Sequence, residues 1–262
     1  KIVMDIATTE GKYIYCVIES NQCQSFGPLG IGGRGDELYT FCLGDIAAVV
    51  SNSPIKKYSV RRENMLAHEK AIEEVMKEFD SVLPVRFGTI AEDEGDKGKV
   101  RRILEKDHDR FKALLNKMKG KNELNLKAIF REDVIYKDIL EKYEDIRVLK
   151  EKVAAHESEK TQFQLMQIGE MVEQALEKEK AKHKDEILGI LQPLAEDVKA
   201  NDTYGELMIV NAAFLVYKEK EPEFDWEVEE LVNKYGEKMR FKYVGTLPPF
   251  NFVNLVIETE KY

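Results

Sequence analysis

The chain has little of the side-chain chemistry on which enzymes depend: three cysteines, four histidines and one tryptophan in 262 residues. The thiols Cys16, Cys23 and Cys42 all fall in the first fifth of the sequence. Their odd number, without a Cys-x-x-Cys pair, argues against a disulfide framework and fits a reducing compartment. Long apolar runs are missing too. The most apolar stretch, residues 207–217, is too short to cross a bilayer and contains Asn211. The first residues, Lys1-Ile2-Val3-Met4-Asp5, show no signal-peptide core. The expectation is a cytoplasmic chain with no membrane span. Positive charge is not in excess either. A formal net charge of −9 disfavours nucleic acid and anionic membranes as partners.

Motifs for catalysis are likewise wanting. A zincin helix needs a second histidine four residues after the first, yet His68-Glu69 is followed by Ile72 at that position. His108, His156 and His183 are scattered through charged segments and read as solvated. There is no Gly-x-Ser-x-Gly elbow. The glycine-rich stretch 27–35 lacks the Gly-Lys-Ser/Thr ending of a phosphate loop and leads into a strand, so it reads as a connector. Glu92-Asp93-Glu94 and Asp96 read as an exposed loop and helix start before they read as a cation site. No catalytic, cofactor-binding or metal-binding residue is assigned, and the chain is expected not to be an enzyme.

What is present is a 43% apolar content, enough for a substantial core, and 34% charged residues, which signals long solvated helices. Residues 13–18 read as a buried strand, and 38–43 and 46–50 as a hairpin turning on Gly44-Asp45. Ser59 is expected to cap a helix to residue 79, with Met65, Leu66, Ile72, Val75, Met76 and Phe79 on its apolar side. Residues 82–90 read as a returning strand, 99–119 as a second helix and 123–130 as a half-buried strand.

From 132 to 199 the pattern is helical and charged. An apolar stripe fades over His156 to Thr161 and the run 177–186 reads as an exposed tip or helix end. That suggests a helical hairpin or coiled arm with a mobile interruption. Strands at 206–217, 239–244 and 252–257 and a helix at 222–235 complete the chain. The expected fold class is α+β with two domains, 1–121 and 122–262. The second is ferredoxin-like and carries the extended helical insertion 132–199.

Two proline-interrupted segments stand out, Leu83-Pro84-Val85-Arg86-Phe87-Gly88-Thr89 and Leu247-Pro248-Pro249-Phe250-Asn251-Phe252-Val253. Proline cannot donate to a β-ladder, so each should start a strand, lie at an edge or turn a corner. Arg86, between Pro84-Val85 and Phe87-Gly88, is expected to be partly buried and to need a carboxylate or backbone acceptors. It would either pin two structural elements or anchor a partner. Phe250 and Phe252 read as core or as partner contacts, and Asn251 between them as a residue bonding local backbone.

With Tyr13-Ile14-Tyr15, Ile46-Ala47-Ala48-Val49-Val50-Ser51 and His68-Glu69, these two segments resemble, in order and nearly end to end, the gas vesicle protein family F/L. Phe250 stands where a tyrosine is expected. The resemblance implies an accessory protein that associates with the small hydrophobic shell protein and with other accessory proteins, and assists vesicle assembly or nucleation. It implies location in the cytoplasm and at the gas vesicle, and no catalytic residues. On its own the protein is expected to be a monomer. Arg86, Phe87, Pro249, Phe250, Asn251 and Phe252 are the candidate partner-binding residues. The rival readings are a ferredoxin-like ligand-binding protein or enzyme with an inter-domain pocket, and a helical scaffold acting through residues 132–199.

Overall fold

The computed structural model describes residues 9–92, 98–155 and 161–262. It is a mixed α/β protein with two compact units, one of residues 1–123 and 246–262, the other Leu124–Gly245. Residues 246–262, expected in the second domain, group with the first.

The first unit is a curled antiparallel sheet with helices packed on it. Its elements are β1 (Glu10–Glu19), β2 (Ser25–Gly27), β3 (Leu38–Leu43), β4 (Ile46–Pro54), α1 (Arg62–Met76), β5 (Val82–Pro84), β6 (Ile90–Glu92), α2 (Lys99–Lys106) and α3 (His108–Met118). The strand order is β2-β3-β4-β1, with β5 and β6 sharing the far edge of β1. Tyr13 through Ile18 are all buried. Side chains alternate across a strand, so six consecutive buried residues mean that both faces of β1 are covered. α1 packs on β1 and β5, α2 on β3, β4 and β6, and α3 on β1 and β5. The β3–β4 hairpin turns on Gly44-Asp45 as expected, with Leu43 opposite Ile46. Gly44 has φ +62° and no non-glycine residue among those described has positive φ, the pattern of a type II′ turn.

Several sequence expectations change here. The residue before α1 is Arg61, not Ser59, and it supplies no side-chain cap. Asn64 instead donates back to the Ser59 carbonyl (2.9 Å). The face of α1 that is buried carries His68, Ala71, Ile72 and Val75, leaving Met65 and Leu66 exposed. The helix expected over 99–119 breaks at Asp107, whose φ of −100° and ψ of 12° lie outside the helical region. The strand expected over 82–90 is two short strands separated by a bulging loop.

The second unit has elements β7 (Lys121–Phe130), α4 (Glu132–Lys142), α5 (Glu144–Ala154), α6 (Thr161–Leu191), β8 (Asp197–Ala200), β9 (Met208–Tyr217), α7 (Glu221–Tyr235) and β10 (Met239–Leu247). The unit boundary falls within β7 and again within β10. The strand order is β10-β7-β9-β8. Leu124, Leu126, Ala128 and Phe130 of β7 share one core with Ile135 and Ile139 of α4, Ile146 of α5, and Ile187 and Leu191 of α6. The helices over 132–199 therefore pack on their own unit, with an apolar stripe turned inward. The charged run 177–186 lies inside α6 and is no tip, because Glu179 and His183 turn toward the core. Residues 156–160, where the stripe fades, lie outside the described residues. No strand forms over 252–257; a single parallel bridge joins Leu255 to Val85.

Candidate functional site

The 85–89 loop is the feature around which the first unit's exposed chemistry gathers. Pro84 ends β5, and Val85 makes one last edge bond to β1, its N–H donating to Tyr15 O (2.9 Å). The chain then leaves the edge and rejoins it where Ile14 N–H donates to Thr89 O (2.9 Å). Gly88 sits between these points at φ +84°, a conformation that excludes most side chains.

A buried chain of hydrogen bonds holds the loop from beneath. Gly88 N–H donates to Tyr13 Oη (2.9 Å), and Tyr13 Oη lies 3.0 Å from His68 Nδ1. His68 Nε2 lies 3.1 Å from the Val85 carbonyl. A carbonyl only accepts, so Nε2 carries the proton, Nδ1 accepts, and Tyr13 donates to it. Every polar atom of both rings is used. Burial pulls the His68 pKa down to about 4 and raises the Tyr13 phenol well above its ordinary value. Both groups are neutral at physiological pH.

The C-terminal segment closes the site from the other side. Glu123, almost fully buried, accepts from Asn251 backbone N–H (2.8 Å) and from Asn251 Nδ2 (2.6 Å). The partner of Asn251 is thus a carboxylate 128 positions away, where local backbone had been expected. Arg86 N–H donates to Leu255 O (3.1 Å), and Tyr262 Oη donates to Asp107 (2.7 Å). These contacts, made within one unit, explain why residues 246–262 group with it.

Between α1, the loop and this segment lies a groove of about 460 Å³. His68 lies in its wall with Met65, Phe87, Phe250 and Val253, and Glu69 and Arg86 supply the charged groups. Across the loop a more open hollow of about 920 Å³ is lined by Ile55, Val60 and Val256 together with Lys56, Lys57 and Glu258. Among the described residues of this unit, six large apolar side chains are substantially exposed: Ile55, Val60, Met65, Leu66, Phe250 and Val256. All but Leu66 line one of the two hollows. The exposed apolar side chains of this unit are thus clustered and not scattered singly over its surface.

Of the sequence-assigned residues, Arg86, Phe87 and Phe250 line the groove, while Pro249 is buried and Asn251 and Phe252 are half-buried. Arg86 departs from expectation. It is exposed, and among the described residues its guanidinium has no partner, because position 86 falls where the chain has already left the sheet. The sequence reading missed Met65 and Glu69, which lie one helical turn apart on α1, and missed Glu123. Nothing in the sequence marked the last, since Glu123 falls in phase with Asn125 and Lys127 on the polar side of the β7 alternation. Burial raises the Glu69 pKa, with Glu73 adding to the effect.

A second polar cluster lies in the other unit. His183, expected to be solvated, is buried against Phe130 and Tyr235. It borders a hollow of about 480 Å³ that also touches Lys142, Glu179 and Lys238. His108 is likewise not simply solvated: Nε2 lies 2.7 Å from Asp45.

The model of the gas vesicle synthesis protein GvpL/GvpF family matches residues 11–254. The chain belongs to this family. Among curated relatives, gas vesicle protein F of Dolichospermum flosaquae is 29% identical over 202 residues, 76% of this chain and 80% of that protein. Gas vesicle protein F of Streptomyces sp. (strain CB03234) is 27% identical, covering 92% of this chain and 98% of that protein. Gas vesicle protein L1 of Halobacterium salinarum is 20% identical, covering 93% and 90%. The crystal structure of GvpF from Anabaena sp. PCC7120 superposes with a TM-score of 0.79 at 24% identity, over 94% of this chain and 99% of that one. GvpF from Microcystis aeruginosa gives 0.74 at 23%, over the same shares. The fold is therefore that of the GvpF structures, and a gas vesicle-related role follows from membership of the family. The family match contains both proline-interrupted segments whole, and all of the groove lining except Leu255.

Proposed function

We propose that this chain is a non-enzymatic gas vesicle accessory protein that binds the small hydrophobic shell protein and assists vesicle assembly or nucleation, acting in the cytoplasm and at the vesicle. The observation that carries the reading is the groove beside the 85–89 loop. It offers apolar contact through Met65, Phe87 and Phe250, flanked by an acid and a base, Glu69 and Arg86, that have no partner among the described residues. An apolar segment of a shell subunit leaving solvent needs such a combination: apolar area to bury and polar groups at the rim that fix its orientation. The neutral, fully bonded His68–Tyr13 pair beneath the groove suits a rigid wall better than proton transfer, which favours the non-enzymatic reading. The second unit is read as ferredoxin-like, its strands following one another in space as fourth, first, third and second. Other gas vesicle proteins are proposed as further partners, with the isolated chain a monomer.

The test is co-expression with the shell protein, followed by pull-down and measurement of soluble shell protein. The expected result is a soluble complex that weakens at least tenfold in Phe250→Ser and Met65→Ser and several-fold in Arg86→Ala, each variant remaining folded. Undiminished binding by all three would remove the groove from the interface. No complex with the unaltered chain would remove shell-protein binding itself.

A further inference from the structure

The three thiols are not equivalent, and two of them form a pair. Cys23 lies in the coil between β1 and β2, exposed, and its Sγ is 3.9 Å from Sγ of Cys42 on β3. The coil is braced against β3 on both sides of Cys23. Gln24 N–H donates to Thr40 Oγ1 (2.8 Å), Thr40 N–H donates to Gln24 O (3.0 Å), and the Thr40 hydroxyl donates to Gln22 O (3.0 Å). Thr40 and Cys42 are two apart on one strand, so the hydroxyl that fixes the coil and the thiol that meets Cys23 project from the same face. Cys16, by contrast, is fully buried in the centre of β1.

We propose that Cys23 and Cys42 are a site of reversible covalent modification, forming an intramolecular disulfide when the protein meets a peroxide. The Cys23 thiolate attacks one peroxide oxygen. The O–O bond breaks, hydroxide leaves and takes up a proton, and Cys23 becomes a sulfenic acid. The Cys42 thiolate then attacks the Cys23 sulfur and displaces hydroxide, which leaves as a second water once protonated. Two thiols and one hydrogen peroxide give one disulfide and two waters, the pair losing the two electrons the peroxide gains. The sulfurs must approach from 3.9 Å to a bond of about 2.05 Å. The coil carrying Cys23 can supply that movement, since residues 21–24 belong to no strand. The bond ties the coil leading into β2 to β3, and β2 is the outermost strand of the sheet. Its effect is to add a covalent tie to a sheet edge that the reduced protein holds by a few hydrogen bonds and by Phe26 packed against Phe79.

The experiment treats the folded, reduced chain with a slight excess of hydrogen peroxide, then counts thiols and maps peptides. The expected result is a fall from three free thiols to one and a monomer lighter by two hydrogens. The cross-linked peptide should join Cys23 to Cys42, and dithiothreitol should restore all three thiols. Cys23→Ser and Cys42→Ser should each lose the cross-link while keeping the circular dichroism of the parent. Amide exchange over residues 20–27 should slow several-fold on oxidation and recover on reduction. A sulfinic acid on Cys23 alone, a disulfide-linked dimer, or three thiols still free would each overturn the assignment.

Discussion

Each unit buries a histidine, and the two are held in opposite ways. His68 is 2% exposed and has a partner on each ring nitrogen, Tyr13 on one side and the Val85 carbonyl on the other. His183 is 8% exposed, yet among the described residues its Nδ1 has no hydrogen-bond partner. Carboxylate oxygens of Glu179 and Glu186 stand 4.0 Å from its two nitrogens, too far for a hydrogen bond. Burial lowers both pKa values, but at His183 the two carboxylates oppose it, with Lys182 and Lys238 acting in the same sense as burial. Burial alone therefore does not specify what a histidine does. His68 is a fixed part of the framework that shapes the loop and groove, while His183 fills space between Phe130 and Tyr235 with its Nδ1 unpaired among the described residues.

The largest effect should come from removing the saturated ring. His68→Ala opens a cavity and leaves the Tyr13 hydroxyl and Val85 carbonyl unsatisfied, at a cost of about 3–4 kcal/mol in denaturant unfolding. His183→Phe removes no hydrogen bond and keeps the ring contacts, so its change should stay within about 1 kcal/mol. Equal losses in the two variants would break the comparison.

Acid titration sharpens it. The folded protein holds His68 near pKa 4 against an ordinary 6.5, so the unfolded chain gains a proton first as pH falls. The stability carried by the neutral ring is fully present above pH 6.5. It is lost as pH falls from 6.5 toward 4, by about 3 kcal/mol in total at about 1.4 kcal/mol per pKa unit. Unfolding curves across this window should lose most of their slope in His68→Phe relative to its own neutral-pH stability. His183→Phe should remove a lesser slope of the same sign. A profile unchanged by His68→Phe would mean the ring titrates normally.

How far these arrangements could be read in advance depends on how local their causes are. The β3–β4 hairpin was legible because Gly44-Asp45 and the flanking strands decide it over a few residues. The helices of the second unit were legible by period, but their direction was not. A charged stripe such as 177–186 looks the same whether it faces water or, at Glu179 and His183, a neighbouring helix. Glu179 shows the reason: burial raises its pKa, yet hydrogen bonds from Lys142 at the end of α4 and from Tyr143 between α4 and α5 outweigh that and hold it below the ordinary value. Of the residues singled out in the proline-interrupted segments, Arg86, Phe87 and Phe250 come together in the wall of one groove. What the segments could not convey was pairing over long separations, such as Tyr13 with His68 or Glu123 with Asn251, which only the folded sheet creates.

The Glu123–Asn251 pair gives the next effect in size. Glu123→Gln turns one carboxylate acceptor into an amide that points a donor at Asn251, and removes the charge that strengthens the other bond. A cost of about 1–2 kcal/mol follows, with faster amide exchange at Asn251 and through the 246–262 segment. Exchange that accelerates evenly over the whole unit would show that the pair supports global stability and not the seating of this segment.

The smallest effect on stability, and the sharpest contrast with His68, belongs to Arg86. Its guanidinium is exposed and has no partner among the described residues, so Arg86→Ala should shift unfolding free energy by no more than about 0.5 kcal/mol. A residue that costs nothing to remove from the isolated protein, beside a loop held by so many buried bonds, is positioned by the fold without helping to hold it. If Arg86→Ala instead destabilised the protein by as much as Glu123→Gln, the arginine would be a structural pin after all. The groove would then lose its one cation, and the orientation of a docked apolar segment would have to rest on Glu69 alone.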